Sequence, residues 1–263
     1  MVASLSTEVV GIVGGGRVTR ILLTGWQRAG QWPDRVRVFE PNAAAAEKLA
    51  ATVAGVELVS EAAAAVGGAT IVLLAIHPPQ LLASVADISP HLAPQALVIS
   101  LAPKVTLAQL CERLPAHVKV ARLLPNAPSL LGQGYNPFAC GPDWTATDRA
   151  RLQQVSEVWG ECPEVPEQEL EAYAVLTAMG PTYFWFQWQT LEDQARSFGL
   201  PEERIRPALQ RMLAGALQVY FESGLSPNDV IDLIPVRPLQ EHEEVISGMF
   251  AENLAAIYRK LNP

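Results

Sequence analysis

A glycine-rich turn near the start of the chain has the residue types and spacing of a phosphate-binding loop. The segment VVGIVGGGRVTR contains Gly14, Gly16 and Thr19 in a G-x-G-x-x-T arrangement, with Arg17 and Val18 in the intervening places. Glycines permit a tight turn and let the backbone approach a pyrophosphate, which the N-terminus of the next helix stabilises. A glycine-rich turn without a ligand is the alternative, but the turn's place after the first apolar run favours phosphate binding.

An acidic residue, Glu40, closes the second apolar run, VRVFE. A carboxylate at this point accepts hydrogen bonds from the adenosine ribose hydroxyls of NAD and repels the 2′-phosphate of NADP. The alternative is a solvated acid at a strand end, and Arg17 or Arg35 has the charge to bind a phosphate. The sequence therefore predicts NAD or NADP as cofactor, with a preference for NAD that rests on Glu40.

A proline-bracketed asparagine follows a later apolar run. In LLPNAPSLLGQG, Asn126 stands between Pro125 and Pro128. Proline fixes φ and pushes the residue before it toward extended geometry, so Asn126 lies in a stiff corner. Such a corner past the carboxyl end of a strand is either a plain turn or a place where a polar side chain lies beside a ligand.

The elements that must position these residues alternate short β-rich runs with helical segments, which predicts βαβ units and a parallel sheet. Strands are predicted over residues 9–14, 36–40, 70–76, 96–101 and 118–124, with weaker ones at VELVS and over 136–141. From about residue 166 only helical patterns follow, including an aromatic-rich segment over 181–198. The predicted fold is α/β, with an N-terminal Rossmann dinucleotide-binding domain over residues 1–165 and an all-α domain over 166–263.

Composition excludes several classes of partner. The 263 residues carry a formal net charge of -8, whereas nucleic-acid and anionic membrane surfaces need basic patches, so we expect a small-molecule substrate. The apolar runs are too short to cross a bilayer, which takes about 20 residues. Cys111, Cys140 and Cys162 form neither a metal-type pair nor a disulfide framework. These cysteines therefore predict no metal site. Because MVASLSTE passes into the first strand without a charged and apolar leader, we expect a cytoplasmic protein.

Several segments, in the same order, resemble the pyrroline-5-carboxylate reductase family over nearly the whole chain. AIHPPQ is similar to the family's VKPQ segment, ISLAPKVTL to ISIAAGVTL, RLLPNAP to an arginine followed by MPNTP, and LTAMGPTYF to TALSGSGPAY. The resemblance implies hydride transfer from NAD(P)H to a cyclic imine carbon, and an all-α dimerisation domain that intertwines with a second subunit in a homodimer. It also implies that the ribose and nicotinamide of the cofactor are lined by Ala75, His77, Pro78, Leu101, Ala102 and Asn126.

The chain departs from this family on the substrate side. The family's late loop SPGGTT, which wraps the substrate carboxylate, corresponds here to residues 232–248, which contain neither paired glycines nor threonine. Met179 replaces a small residue of the SGSGP pattern, and Gln189 stands where the family has a glutamate. These changes indicate a retained redox scaffold with an altered substrate pocket.

Three residues are candidates for the lost catalytic groups. Arg237 has the fork geometry to bind a carboxylate, and His242 or Tyr183 has a proton to deliver. Each has a plainer alternative, namely a surface ion pair for Arg237, a solvated helix face for His242, and an aromatic core or interface for Tyr183.

Three functions remain open from the sequence. The first is an NAD(P)H-dependent reductase that acts on a cyclic imine or related small substrate. The second is a nucleotide-binding, non-catalytic or regulatory homologue with an altered pocket. The third, a helical-domain dehydrogenase acting on a carbonyl, lacks an obvious lysine base, because no lysine occurs between Lys119 and Lys260.

Overall fold

A computed structural model describes residues 5–262. The chain forms two compact units, one containing residues up to Met179 together with the segment from Tyr258 onward, and the other comprising Gly180–Ile257. The expectation that no leader precedes the first strand rests partly on residues 1–4, which lie outside the described range.

The first unit is built on a seven-stranded sheet whose order, β3-β2-β1-β4-β5-β6-β8, confirms the predicted Rossmann fold. The strands are β1 (Val9–Val13), β2 (Arg35–Phe39), β3 (Val56–Val59), β4 (Ile71–Leu74), β5 (Leu97–Ser100), β6 (Lys119–Leu123), β7 (Gly134–Tyr135), β8 (Phe138–Cys140) and β9 (Gly160–Glu161). Neighbours are parallel except β8, which pairs antiparallel with β6. A short parallel pair, β7 and β9, lies outside this sheet. All seven strands of the sheet correspond to predicted apolar runs.

Helices cover both faces of the sheet, and this explains why its central strands are apolar on both sides. The helices of this unit are α1 (Arg17–Arg28), α2 (Ala43–Thr52), α3 (Ala62–Val66), α4 (Pro78–Ile88), α5 (Leu107–Cys111), α6 (Ala146–Ser156) and α7 (Leu170–Tyr173). Side chains cap the N-termini of two of these helices. The Asn42 side chain accepts a hydrogen bond from the N–H of Ala45 at the start of α2, and Thr106 forms a capping box with Gln109 at the start of α5.

The second unit is helical. It contains α8 (Thr182–Ser197), α9 (Glu202–Glu222), α10 (Pro227–Asp232) and most of α11 (Glu243–Leu261). Ile205 is the one fully buried hydrophobic side chain between residues 180 and 257. No helix within residues 5–262 is long and apolar enough to span a membrane.

The division between the units differs from the boundary expected near residue 165. Leu170 and Ala174 belong to the hydrophobic core on one face of the sheet, and Leu261, at the end of α11, packs against the same core. A π-helical turn over Ala174–Ala178 follows α7 directly. The helical pattern therefore starts before the chain leaves the first unit, and the division falls after Met179.

Candidate functional site

A cleft of about 640 Å³ opens at the carboxyl ends of β1, β2 and β4. β1 lies between β2 and β4, which is the point where strand order reverses and where open α/β sheets bind ligands. The glycine turn, the start of α2 and the start of α4 form the wall of this cleft. Its polar and glycine lining comprises Gly14, Gly15, Gly16, Arg17, Arg20, Glu40, Asn42, Lys48, His77, Gln80 and Ser84.

The first two glycines of the turn are required by the fold itself. Gly14 has φ +104°, and a Cβ added there would lie 2.4 Å from the carbonyl oxygen of Ala75. At Gly15, an added Cβ would lie 2.9 Å from Cβ of Glu40. The buried Thr19 hydroxyl donates to the carbonyl of Gly14, so the threonine that replaces the usual third small residue fixes the turn to α1.

The third glycine is not required by the fold. Gly16 has extended backbone, with φ −73° and ψ −157°, and a Cβ added there would meet no atom within 4 Å. Among the described residues, no side chain caps the N-terminus of α1, where Gly16 is the capping residue. A glycine at this point keeps the helix N-terminus open to the cleft, so the space and its N–H groups fit a bound phosphate.

Glu40 joins the end of β2 to the glycine turn. Its Oε2 accepts a hydrogen bond from the N–H of Gly15 at 2.7 Å, and Oε1 accepts from the N–H of Asn42 at 2.9 Å. The carboxylate therefore lies at the rim of the cleft, where a ribose is expected. Arg35, by contrast, is at the amino end of β2 and pairs with Glu57 at 3.5 Å, so its suggested contact with a phosphate is wrong.

Two cations that the sequence analysis missed line the same cleft. Arg20 and Lys48 join Arg17 there, which makes the cleft locally basic although the chain has a net charge of -8. The spacing of Arg17 and Arg20 on one face of α1 was an available signal. Lys48 carried no such signal, because it reaches the cleft only through the packing of α2.

The residues expected to line the cofactor near its ribose and nicotinamide fall into two groups, because some of them line the cleft and others do not. Ala75 and His77 line the cleft, and His77, with an exposed side chain, precedes Pro78, the first residue of α4. Leu101 and Ala102 are buried in the loop after β5. Val18, also expected at the cofactor, packs against the hydrophobic core instead of lining the cleft.

Asn126 is held by hydrogen bonds within the first unit. Its Oδ1 accepts from the N–H of Tyr135 at 3.2 Å, and its Nδ2 donates to the carbonyl of Thr177 at 3.3 Å. Its own N–H donates to Oδ1 of the buried Asn136 at 3.0 Å. The side chain is 9% exposed and does not line the cleft, so it serves the corner after β6, and its contact with a cofactor stays a prediction.

A buried ion cluster fixes the loop after β5. Arg122 of β6 is 1% exposed, and its two terminal nitrogens donate to Oε1 of Glu167 at 2.9 Å and Oε1 of Glu171 at 2.5 Å. The same two oxygens accept the N–H of Leu107 at 2.6 Å and of Lys104 at 2.8 Å. The cluster therefore joins β6, the β5–α5 loop and α7, and the single arginine inside an apolar strand was its only signal in the sequence.

The three weak catalytic candidates all lie in the second unit. Arg237 forms an ion pair with Glu243, as its plainer alternative predicted, and His242 is exposed. Tyr183 packs edge-on against Phe250, with ring centroids 5.9 Å apart, and burial raises the pKa of its phenol. Within residues 5–262, no group of three histidine, cysteine or acidic side chains is arranged to hold a metal ion.

The chain is similar in sequence and in fold to known NAD(P)-dependent oxidoreductases. The family of NADP oxidoreductases described as coenzyme F420-dependent matches residues 9–104. A pyrroline-5-carboxylate reductase of Mycobacterium tuberculosis is 29% identical over 219 residues, covering 81% of this chain and 74% of that protein. That of Pseudomonas aeruginosa is 26% identical over 227 residues, covering 86% and 83%. The crystal structure of Plasmodium falciparum pyrroline carboxylate reductase with NADP bound has a TM-score of 0.82 at 18% identity and covers 97% of each chain.

Proposed function

We propose that the chain is a member of the pyrroline-5-carboxylate reductase family, an NAD(P)-dependent oxidoreductase that reduces the C=N bond of a small cyclic imine. The open space at Gly16 is the observation that supports this proposal most directly. The fold does not need a glycine there, whereas a bound pyrophosphate needs the space that a side chain would fill. With pyrroline-5-carboxylate as substrate the product is proline, which would be a step of proline biosynthesis.

The residues of the first unit bind and orient the cofactor in this proposal. When bound, the dinucleotide supplies the hydride itself. The N–H groups at the start of α1 and the positive charge of Arg17 and Arg20 would stabilise the pyrophosphate, and the segment after β4, which lines the cleft, would exclude water from the cofactor. A protonated imine accepts hydride readily, so orientation is the main requirement, and loss of the family's late hydroxyl is compatible with turnover.

The position of Glu40 favours NAD over NADP. Its carboxylate would accept hydrogen bonds from the ribose hydroxyls and repel a 2′-phosphate, whereas Arg17, Arg20 and Lys48 supply charge that would bind that phosphate once Glu40 is replaced. Glu40→Ala is expected to lower the ratio of NADH to NADPH affinity by about tenfold, the value of one charged hydrogen bond. An unchanged ratio in fluorescence titrations would remove Glu40 from ribose recognition.

The helical unit supports a homodimer. Phe186 and Phe221 are 65% and 74% exposed, and none of the α8 side chains is buried. Large contiguous apolar surfaces on soluble proteins mark association sites, and a second copy of the same helices has matching apolar surface to cover them. Light scattering is expected to give twice the chain mass, and a monomer at micromolar concentration would contradict this assembly.

Two measurements test the proposed reaction. NADH and NADPH are titrated by fluorescence, and absorbance is then followed with pyrroline-5-carboxylate, a piperideine and a simple imine. Nucleotide binding with oxidation of NADH in the presence of one imine is the expected result. Failure to bind either nucleotide would sink the proposal.

The second candidate is a nucleotide-binding homologue without turnover. The altered stretch 232–248 favours it, because Arg237 is already paired with Glu243 and no glycine pair remains to wrap a substrate carboxylate. Tight NADH binding without oxidation by any of the three imines would establish this alternative.

A further inference from the structure

Lys104 has a backbone conformation that its residue type rarely adopts. Among residues 5–262 only two non-glycine residues have positive φ, Lys104 at 76° and Gln95 at 60°. Such conformations are strained and persist only where the surroundings determine them. Gln95 precedes β5 at the amino edge of the sheet, whereas Lys104 follows β5 at the carboxyl edge, where ligands bind.

The surroundings of Lys104 hold this strain in place. Its N–H donates to Oε1 of Glu171 at 2.8 Å, and the same oxygen receives a hydrogen bond from Arg122 at 2.5 Å. Both Glu171 and Arg122 are buried. The far end of the loop is fixed by the N–H of Leu107, which donates to Glu167 at 2.6 Å.

The fold gains nothing from a lysine at this position. The similar segment of the family, ISIAAGVTL, has glycine where ISLAPKVTL has Lys104, and glycine adopts positive φ without strain. The Lys104 side chain is exposed, and in the described part of the chain its ammonium makes no ion pair or hydrogen bond. The ammonium thus remains available for a ligand outside the fold.

The loop that carries Lys104 adjoins the wall of the cofactor cleft. The N–H of Leu101 donates to the carbonyl of Leu74 at 3.0 Å, so the chain leaving β5 lies beside the chain leaving β4. The segment after β4 lines the cleft through Ala75 and His77. Lys104 therefore lies in one of the strand-end loops at the carboxyl edge of the sheet, where the reactive end of the cofactor is expected.

We propose that Lys104 binds the carboxylate of the substrate, an inference that rests on the proposed reductase function. The family's late loop, which wraps that carboxylate, is replaced here by a stretch whose Arg237 is engaged with Glu243. An ammonium carried by a fixed backbone position on the Rossmann side replaces the missing contacts through a charge-assisted ion pair. Lys104 is thus a substrate-binding residue, and the Arg122–Glu171 pair positions it.

The test compares Lys104→Gly with Gln95→Gly, a matched variant that relieves the same kind of strain at the opposite edge of the sheet. Dissociation constants of pyrrolidine-2-carboxylate and of pyrrolidine are measured calorimetrically in the presence of NAD⁺, and Tm is recorded for each protein. We expect both variants to keep or raise Tm, and only Lys104→Gly to weaken carboxylate binding, by about tenfold or more. Lys104→Arg is expected to retain most of the affinity.

Equal carboxylate affinity in the wild type and Lys104→Gly would overturn the assignment, as would equal loss of both ligands or failure of the wild type to prefer the carboxylate. The binding measurement needs no turnover, so it separates this inference from the proposed reaction. Turnover of imines with no effect of Lys104→Gly removes only Lys104. Selective carboxylate binding through Lys104 without turnover removes only the reductase activity.

Discussion

Replacement of Gly16 by valine separates the structural role of the glycine turn from its role in binding. An added Cβ meets no atom within 4 Å, and the backbone at φ −73° and ψ −157° is extended geometry that valine adopts. Valine is a poorer N-cap residue than glycine, which lowers the free energy of unfolding by less than about 1 kcal/mol. Valine also restricts the unfolded chain, which raises the free energy of unfolding by about 0.4–1 kcal/mol. Tm is therefore expected to change by less than about 4 °C.

The effect of Gly16→Val on nucleotide binding is expected to be far larger. The valine side chain fills the space in front of the N–H groups at the start of α1, where the pyrophosphate would lie. A hydrogen bond to a charged group contributes about 1.5–3 kcal/mol, so loss of two corresponds to about 3–6 kcal/mol. This predicts at least about a hundredfold weaker NADH binding, measured by fluorescence titration on the same preparation as the thermal melt.

Gly14→Ala is the matched control, because it changes the same turn at a point that the fold requires. With φ +104° and the Ala75 carbonyl oxygen 2.4 Å from the new Cβ, this variant is expected to lose about 2–3 kcal/mol of stability. Wild-type NADH affinity in Gly16→Val would refute the assignment of the cleft to the dinucleotide. A large fall in Tm of Gly16→Val would show that the space at this glycine is not open.

Two further predictions concern ion pairs of the first unit. Arg122→Met leaves the buried Glu171 carboxylate and the half-buried Glu167 carboxylate without their cation and is expected to cost about 3–5 kcal/mol in urea unfolding; a loss below about 1 kcal/mol would contradict the cluster's role. Burial raises the pKa of Glu8, but hydrogen bonds from Arg151 and Thr70 outweigh it and hold that pKa below its ordinary 4.5. Because the folded pKa is depressed, the stabilisation is present above pH 4.5 and is lost as pH falls through the folded value. Glu8→Gln should therefore be about 1 kcal/mol less stable than wild type at neutral pH, and a gap that does not narrow as the pH falls below 4.5 would contradict the ion pair.

The fold was predictable because its signals are local. Apolar runs of strand length, the glycine turn and the acid at the end of β2 each depend on a few neighbouring residues. The runs correctly indicated a parallel sheet, and the turn and the acid line a cleft at its carboxyl edge. The boundary near residue 165 differed because a helical pattern looks the same whether it packs on the sheet, as Leu170 and Ala174 do, or belongs to the helical unit. Only long-range contacts distinguish the two cases.

Long-range contacts also explain which residues of the site could not be predicted from the sequence. Arg122 reaches Glu167 and Glu171, which are 45 and 49 residues away along the chain, and no short motif encodes that meeting. Lys48 faces the cleft only because α2 packs beside the glycine turn. The suggested contact of Arg35 with a phosphate was wrong because Arg35 is the first residue of β2. It therefore lies at the amino end of the strand, away from the cleft at the carboxyl end.

The loops at the carboxyl edge of the sheet share one device, which explains how the substrate side was able to change. Each is held by a side-chain oxygen that accepts a backbone N–H, as Glu40 does for Gly15, Glu171 for Lys104 and Asn126 for Tyr135. All of these bonds lie within the first unit, so the geometry of these loops is fixed without help from residues 232–248. Under the proposed function, we therefore expect sequence changes in that late stretch to alter which molecule is bound and to leave the geometry of the cleft intact.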